Sequence, residues 1–219
     1  MSKIKNFLKT NRLFWRYRHL IDSDVWQSYA DDGNNPRREF YSNFIQKHSL
    51  QTVFEFGCAS GPNLMVIRQN CSQSVKFFGY DINKGAVNLA QSKLGDVNSV
   101  FKSTLKISDI ETALLNWSTE TFHLAIYDRV LYLLSDKEVS SHFSKFGSYL
   151  KYVILDDFHN STSVKTNGAY FTKNYIEILH NNGFDLVSED VSDHVKQDTF
   201  FKENAKRLVF IKRTCNEVK

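Results

Sequence analysis

The spacing of apolar residues changes near residue 50, where a helical period gives way to alternating strand and helix patterns. Before that point, residues 11–21 and 36–48 carry apolar side chains at helical intervals, and we predict two helices joined by a polar, turn-rich loop over 26–36. Beyond it, short runs rich in β-formers alternate with helical stretches, which predicts βαβ units around a parallel sheet. The predicted strands cover 51–56, 75–80, 99–102, 122–127 and 151–156, and the predicted helices cover 62–70, 83–93, 109–116, 136–147 and 172–181.

The C-terminal part of the chain departs from this alternation. Residues 184–191 and 207–212 both have strand patterns, and the segment between them gives no convincing helix pattern. We therefore expect an antiparallel pair of strands at one edge of the sheet. The predicted fold is an α/β three-layer sandwich, in which N-terminal helices precede a seven-stranded, mostly parallel sheet with a reversed last strand.

The composition is that of an ordinary globular protein. The chain has 219 residues, of which 42% are hydrophobic and 24% are charged, and this length suits one sizeable α/β domain. Its three cysteines form no CxxC pair, which favours a reducing compartment and argues against a thiolate zinc site. No apolar run is long enough to span a bilayer and no signal peptide is evident, so we expect a cytoplasmic protein.

Positive charge is concentrated at the N-terminus. The net charge of the chain is +4, but residues 1–20 hold six lysines and arginines and no acidic residue, interleaved with aromatic side chains. We favour a basic amphipathic helix whose aromatic face packs on the domain. Weak peripheral contact with an anionic surface, such as a membrane or RNA, is the alternative.

A strand–glycine–helix segment, Thr52–Asn63, is the most informative stretch of the sequence. A short apolar run is broken by Gly57 and Gly61, and a helical pattern follows at once. Such a turn lets a ligand approach bare backbone at a helix N-terminus, where free N–H groups collect. The dinucleotide fingerprint would require glycines where Ala59 and Pro62 stand, and no Gly-Lys-Ser/Thr sequence follows to make a phosphate loop.

An acidic residue, Asp81, ends the next predicted strand, about 20 residues after the glycine turn. A carboxylate at that position can accept hydrogen bonds from both hydroxyls of a ribose. Ligands of open α/β sheets bind at the carboxyl ends of the strands, so we expect Gly57, Asp81 and Asp128 to face one crevice.

Together these landmarks resemble class I S-adenosylmethionine-dependent methyltransferases. The family's first motif, E/D-x-G-x-G-x-G, is matched by Glu55, Gly57 and Gly61, with alanine at its middle glycine. Asp81 matches the family's ribose-binding acid, and residues 122–132 resemble its fourth-strand motif. The resemblance implies that S-adenosylmethionine is the methyl donor and that S-adenosylhomocysteine is released.

The resemblance also implies a map of the chain. Residues 1–49 would form an N-terminal helical cap or lid, and residues 50–219 would form the S-adenosylmethionine-binding methyltransferase domain. The family pattern assigns cofactor contacts to Glu55, Phe56, Gly57, Cys58, Ala59, Gly61, Asn63, Asp81, Ile82, Thr104, Leu105 and Asp128.

Candidate catalytic groups follow the fourth and fifth predicted strands. Asp156 and Asp157 would point to opposite faces of a strand, so we expect only one of them in the pocket. We predict Asp128, Asp157 and His159 as catalytic groups, with Asp157 or His159 as the general base. A structural alternative, with Asp156 capping a turn and His159 in solvent, stays open.

A metal-dependent alternative comes from a second resemblance. Acids after the fourth and fifth strands resemble those of metal-dependent sugar O-methyltransferases, which implies Asp128, Asp156 and Asp157 as Mg²⁺ ligands. Val130 stands where that family has a second acid, and we favour the metal-free mechanism.

The leading functional hypothesis is O-methylation of a glycan or another small-molecule hydroxyl. N-methylation of a small amine or RNA is the alternative, and a non-catalytic cofactor-binding protein is the third hypothesis. Nucleic acid is not favoured, because the Asn/Asp-Pro-Pro-aromatic motif of nucleobase enzymes is missing after the fourth strand. Candidate walls of the acceptor pocket are Trp26, Tyr132, Tyr170 and Phe171.

Overall fold

The computed structural model describes residues 11–18, 24–31, 35–96, 98–104, 112, 121–192 and 199–213. Within these ranges, seven strands form one sheet, and helices cover both of its faces. The strands are β1 (Thr52–Phe56), β2 (Lys76–Asp81), β3 (Ser99–Ser103), β4 (Phe122–Asp128), β5 (Leu150–Phe158), β6 (Phe184–Val191) and β7 (Ala205–Lys212). The helices are α1 (Arg12–Arg16), α2 (Val25–Asp31), α3 (Pro36–Lys47), α4 (Pro62–Asn70), α5 (Lys84–Leu94), α6 (Asp136–Phe146), α7 (Tyr175–Asn181) and α8 (Thr199–Asn204), with short 3₁₀ helices at Leu131–Leu133 and Gly147–Tyr149.

The strand order is β3-β2-β1-β4-β5-β7-β6. Strands β1 to β5 pair in parallel, whereas β7 pairs antiparallel with both β5 and β6. The predicted α/β sandwich with a reversed last strand is therefore confirmed. From β1 the chain adds β2 and β3 on one side, and it then adds β4 and β5 on the other side. This switch point between β1 and β4 leaves a crevice at the carboxyl ends of those two strands.

Two apolar cores lie on opposite faces of the sheet, because neighbouring strand residues point in opposite directions. In β4, Leu124 and Ile126 pack under α3, α4 and α5, while Ala125 and Tyr127 pack under α6 and α7. Phe54 of β1 belongs to the second core, and replacing such a buried ring with alanine typically costs about 3–5 kcal/mol. Burial on both faces explains the almost continuous apolar sequence of these central strands.

Two helices lie where the sequence pattern predicts none, and both depend on long-range packing. The segment 26–36 was expected to be a loop, but α2 covers its first half because Val25 and Trp26 are buried against Ala86 of α5. Helix α8 lies between the last two strands, where Phe201 is buried in a cluster with Tyr132. A turn-rich or irregular sequence becomes helical here because the folded protein buries one side of it.

The other predicted elements lie within about three residues of their observed bounds, which is the usual uncertainty of helix and strand ends. Strand β5 extends two residues beyond the predicted end, so Asp157 belongs to the strand. The predicted helix over 109–116 falls, apart from residue 112, outside the described residues, as does the end of the helix predicted over 11–21. None of the helices in the described part of the chain is long and apolar enough to cross a membrane.

The turn after β1 requires glycine at position 57, for both conformational and steric reasons. Gly57 has a φ of +81°, and a Cβ built on it would lie 2.7 Å from Val130 Cγ2. Gly168 has the same φ of +81° but nothing within 4 Å of such a Cβ, so it serves as the control. We expect Gly168→Ala to lower the free energy of unfolding by about 1 kcal/mol through left-handed strain alone. Gly57→Ala should lower it by about 1–3 kcal/mol more, because the clash adds to the same strain.

Urea unfolding of the two variants separates the steric effect from the conformational one. Equal losses in both variants would show that Val130 moves aside and that the turn tolerates a side chain.

Candidate functional site

A cavity of about 480 Å³ opens at the carboxyl ends of β1, β2 and β4. It lies where the strand order reverses, which is the usual ligand position in open α/β sheets, and its volume is typical of small-molecule sites. Nine of the predicted cofactor residues line it: Glu55, Phe56, Gly57, Cys58, Ala59, Asn63, Asp81, Ile82 and Asp128.

The glycine turn is clamped onto the end of β2. The backbone N–H groups of Gly57 and Cys58 both donate to the Tyr80 carbonyl oxygen, at 2.7 and 2.8 Å. Ala59 has a left-handed φ of +50°, and its N–H donates to Asp81 Oδ2 at 2.9 Å. These bonds bring the turn and the predicted ribose-binding acid to one wall of the cavity.

Asp81 is held by the backbone on both sides. Its Oδ1 accepts from the Asn83 N–H at 2.8 Å, and its Oδ2 accepts from Ala59. Burial raises the pKa of Asp81 to about 6, although these backbone N–H groups favour the ionised form. The carboxyl group is thus largely ionised at neutral pH and faces the cavity beside Ile82.

The amide of Asn63 joins two other acids of the cavity, Glu55 and Asp128. Its Nδ2 donates to Glu55 Oε1 at 2.7 Å and to Asp128 Oδ2 at 3.0 Å. Two arginines complete the network: Arg38 Nε donates to Asn63 Oδ1 at 3.1 Å, and Arg37 Nη2 lies 3.2 Å from Asp128 Oδ2. Among the described residues, the other oxygens, Glu55 Oε2 and Asp128 Oδ1, have no hydrogen-bond partner.

The two acids of this network have opposite electrostatic environments. Burial raises the pKa of Glu55 to about 8, and the hydrogen bond from Asn63 only partly opposes this effect. Burial also acts on Asp128, but Arg37 and Arg129 outweigh it and hold the pKa of Asp128 below its usual value. At neutral pH, Asp128 is therefore ionised while Glu55 is mostly protonated.

The N-terminal helices supply part of the site that sequence analysis missed. Arg37 and Arg38 begin α3, and their only sequence signal is two arginines after a helix-starting proline, which resembles an ordinary charged surface. Among the predicted wall residues, Trp26, Tyr132 and Tyr170 line the cavity; Phe171 does not.

Two of the three predicted catalytic groups lie outside the cavity lining. Asp157 Oδ2 accepts from the N–H groups of Leu131 and Tyr132, at 2.9 and 3.2 Å, and so fixes the short 3₁₀ helix after β4. His159 is buried, and its Nδ1 lies 3.1 Å from the Lys173 carbonyl oxygen. Both side chains thus have structural contacts of their own.

The remaining predicted contacts are placed as follows. Gly61 is the N-cap of α4, and the Thr104 carbonyl oxygen accepts from the Tyr80 hydroxyl at 2.5 Å; neither residue lines the cavity. Leu105 lies outside the described residues.

The acids proposed as magnesium ligands do not form a cluster. Asp156 is buried, with Arg207 Nη2 3.1 Å from its Oδ2 and the Ser192 hydroxyl bonded to its Oδ1. Asp157 points to the other face of the strand, towards backbone N–H groups. In the described part of the chain, no group of three or more His, Cys, Asp or Glu side chains is arranged to hold a metal ion. These existing partners of Asp156 and Asp157 argue against the magnesium alternative.

No protein-family model matches the chain, and no curated protein sequence matches it significantly. The structure of magnesium protoporphyrin IX methyltransferase from Synechocystis PCC 6803 with bound S-adenosylmethionine matches with a TM-score of 0.65 and 17% identity, over 94% of this chain and 97% of that one. A Leishmania major S-adenosylmethionine-dependent methyltransferase matches with a TM-score of 0.59 and 14% identity, over 97% of this chain and 82% of that one.

A third solved structure contains both a ring compound and the demethylated cofactor. It is 1,6-didemethyltoxoflavin-N1-methyltransferase from Burkholderia thailandensis, with bound 1,6-didemethyltoxoflavin and S-adenosylhomocysteine. Its TM-score is 0.59 at 13% identity, over 90% of this chain and 89% of that one. At such low identities the likeness establishes the fold, which is that of class I S-adenosylmethionine-dependent methyltransferases.

The raised pKa of Glu55 predicts a pH-dependent gain in stability for Glu55→Gln. Folding raises the pKa of Glu55 from 4.5 to about 8. Between those pH values the unfolded chain has released the proton while the folded protein still holds it, so the free energy of unfolding of the wild type falls as the pH rises. Glutamine can still accept from Asn63 but does not titrate. The variant should match the wild type near pH 4.5 and gain up to about 1.4 kcal/mol per pH unit until about pH 8.

Chemical unfolding of the ligand-free protein across this pH range measures the difference. Glu39→Gln, at an exposed position of α3, removes one carboxylate by the same substitution and is the matched control. A constant difference between Glu55→Gln and the wild type would contradict the raised pKa.

Proposed function

We propose that this chain is an S-adenosylmethionine-dependent methyltransferase that methylates a hydroxyl group of a small molecule. One observation carries the proposal: a left-handed glycine turn, Asp81 and the unbonded Oε2 of Glu55 meet in one cavity at the switch point of the sheet. Two of the solved structures with this fold contain S-adenosylmethionine or S-adenosylhomocysteine, which supports the same conclusion.

The groups around the turn suit the parts of S-adenosylmethionine. Asp81 retains lone pairs after binding two backbone N–H groups and would accept hydrogen bonds from the ribose hydroxyls. Glu55 Oε2 would accept from the amino group of the cofactor, whose positive charge favours the ionised carboxylate. Ile82 would pack on the adenine ring. When bound, the cofactor supplies a methyl group that its sulfonium already activates for in-line transfer.

Asp128 is the residue that we place beside the acceptor. Asp128 lines the cavity; its Oδ2 is fixed by Asn63 and Arg37, while its buried Oδ1 has no hydrogen-bond partner among the described residues. Because its pKa is lowered, the ionised group can accept a hydrogen bond from a hydroxyl and orient that oxygen for attack. The same carboxylate would keep an amine protonated and without a lone pair. A hydroxyl acceptor is therefore favoured over an amine.

The N-terminal helices would shield this chemistry from water. Trp15 and Trp26 line the cavity, and their carbonyl oxygens accept hydrogen bonds from Asn83 Nδ2 at 2.9 Å and Ser60 Oγ at 2.7 Å. These contacts support the described part of residues 1–49 as the cap of the site. The aromatic lining, and the ring compounds named for two of the similar structures, support a ring-containing small molecule, rather than an extended glycan, as the acceptor.

The first test of the proposed function is binding of S-adenosylhomocysteine. The ligand should raise the melting temperature of the wild type, because it binds the native state. Asp81→Ala should weaken its affinity at least about tenfold, since hydrogen bonds to a charged group contribute about 1.5–3 kcal/mol. Isothermal titration calorimetry measures both, with Asp185→Ala on β6 as the control that should bind normally. The proposal fails if saturating S-adenosylhomocysteine neither binds nor stabilises the wild type.

If Asp128 acts on the acceptor, its replacement should lower the turnover rate and leave the affinity for the cofactor unchanged. Asp128→Asn should slow methyl transfer about a hundredfold or more, because loss of a positioned proton acceptor typically costs that much. Its affinity for S-adenosylhomocysteine should change little. The assay is release of S-adenosylhomocysteine with a panel of phenols and sugar alcohols, and Asp136→Asn, at the exposed start of α6, is the control. A parallel loss of cofactor binding would instead assign Asp128 to the cofactor.

A further inference from the structure

Helix α2 packs against α4 and α5, the two helices that follow β1 and β2. A hydrogen bond of 2.7 Å from Ser60 Oγ to the Trp26 carbonyl oxygen fixes α2 to the glycine turn. The Trp26 side chain packs in one cluster with Ala86 of α5 and Ala59 of the turn. Because the Ala59 N–H donates to Asp81, Trp26 lies at the part of the cavity where we place the cofactor.

The indole N–H of Trp26 is a buried donor without a partner. The residue is 6% exposed and lines the cavity, and its Nε1 has no hydrogen-bond partner among the described residues. Buried donors in native proteins are almost always satisfied, and a bound ligand would satisfy this one. Tyr29 lies one turn further along α2, with its ring centroid 5.8 Å from that of Trp26, and it also lines the cavity. This side of α2 therefore faces the space for a ligand.

The N-terminus of α4 borders the same space. Gly61 is its N-cap, no side chain caps its first turn, and Pro62 and Asn63 line the cavity. The first backbone N–H groups of a helix and its dipole favour a negatively charged ligand group there. Trp26 is bonded through its carbonyl oxygen to Ser60, the residue before this N-cap. The indole and the helix terminus thus offer N–H donors to one region of the cavity, which suits an anionic group.

The three arginines that the cap contributes to the cavity lining already have partners. Arg12 Nη2 donates to Glu138 Oε1 at 2.8 Å. Arg37 and Arg38 belong to the network around Asn63. An anion that bound to any of these arginines would compete with an existing contact. The indole N–H, in contrast, has no hydrogen bond within the described part of the chain to give up when a ligand binds.

We propose that Trp26 binds the carboxylate of the cofactor through its indole N–H, so that the N-terminal cap is part of the cofactor site. The inference rests on the proposed function and gives a partner to the carboxylate, which the acids Glu55 and Asp81 are unsuited to bind. The amino group and the carboxylate of the cofactor share one carbon atom, so a donor to the carboxylate must lie near Glu55. Trp26 meets this condition, because Ser60, to which it is bonded, belongs to the turn directly after the strand of Glu55.

Two ligands that differ in the amino-acid part test this assignment. 5′-Methylthioadenosine keeps the nucleoside and the sulfur of S-adenosylhomocysteine but lacks its carboxylate and amino group. Trp26→Phe should weaken the binding of S-adenosylhomocysteine about tenfold or more, because it removes a hydrogen bond to a charged group. It should change the affinity for 5′-methylthioadenosine little, so the ratio of the two affinities should fall about tenfold. Isothermal titration calorimetry measures both affinities.

Val25→Ala is the control for lost packing, because Val25 is buried in the same cluster but does not line the cavity. It should affect both ligands alike and leave the ratio of affinities unchanged. A second variant carries the benzothiophene analogue of tryptophan at position 26, which keeps the shape of the ring system and replaces the N–H by sulfur. This variant should lower the ratio as Trp26→Phe does. It decides the question if Trp26→Phe does not fold, as judged by its melting temperature.

The same titrations separate this inference from the proposed function. Equal weakening of both ligands by the two replacements of Trp26 would place the indole at the nucleoside part and overturn the carboxylate contact. Unchanged binding of S-adenosylhomocysteine by these variants would overturn it as well. In both cases the wild type still binds S-adenosylhomocysteine, and the methyltransferase proposal stands. Failure of the wild type to bind S-adenosylhomocysteine would overturn both.

Discussion

The amide of Asn63 is the interaction on which the site depends, because it keeps two buried acids side by side. It donates to both Glu55 and Asp128, whose carboxyl groups would otherwise lie side by side in a low-dielectric interior without this shared donor. The partners come from β1, β4, α4 and, through Arg37 and Arg38, α3. The site is therefore complete only when the N-terminal helices are docked on the sheet.

This shared amide also allows the two acids to differ. Arg37 lies beside Asp128 and keeps it ionised, whereas Glu55 is buried near the carboxyl end of β1 and holds its proton to about pH 8. Pairs of acids whose environments push their pKa values apart are typical of sites where each has its own task. The buried acid destabilises the ligand-free fold above its unfolded-state pKa, and the aromatic cores on both faces of the sheet offset that cost.

Sequence patterns predicted the fold, and also that the glycine turn and Asp81 lie in one cavity, because the signals there are local. The glycine turn and Asp81 lie close together in the sequence, on consecutive strand–turn–helix units whose apolar patterns are strong. Helices α2 and α8 could not be predicted in this way, since Trp26 and Phe201 make them helical through contacts with distant residues. Arg37 could not be predicted as a site residue for the same reason, because nothing near it in the sequence indicates its contact with Asp128. Asp157 and His159 sit at a predicted strand end, but their side chains turn towards backbone groups.

The sheet order explains why the two halves of the site differ in this respect. Strands β1 and β2 are consecutive and adjacent, so one stretch of sequence forms the cavity wall that carries Glu55, Gly57 and Asp81. The opposite wall of the cavity carries Tyr132, Tyr170 and Phe201, which follow β4, follow β5 and precede β7 and are separated by tens of residues. Solved structures at 13–17% identity share this sheet and are named for different substrates. What distinguishes this chain within the shared fold is therefore the set of side chains that distant segments bring together at that wall, and here they are aromatic.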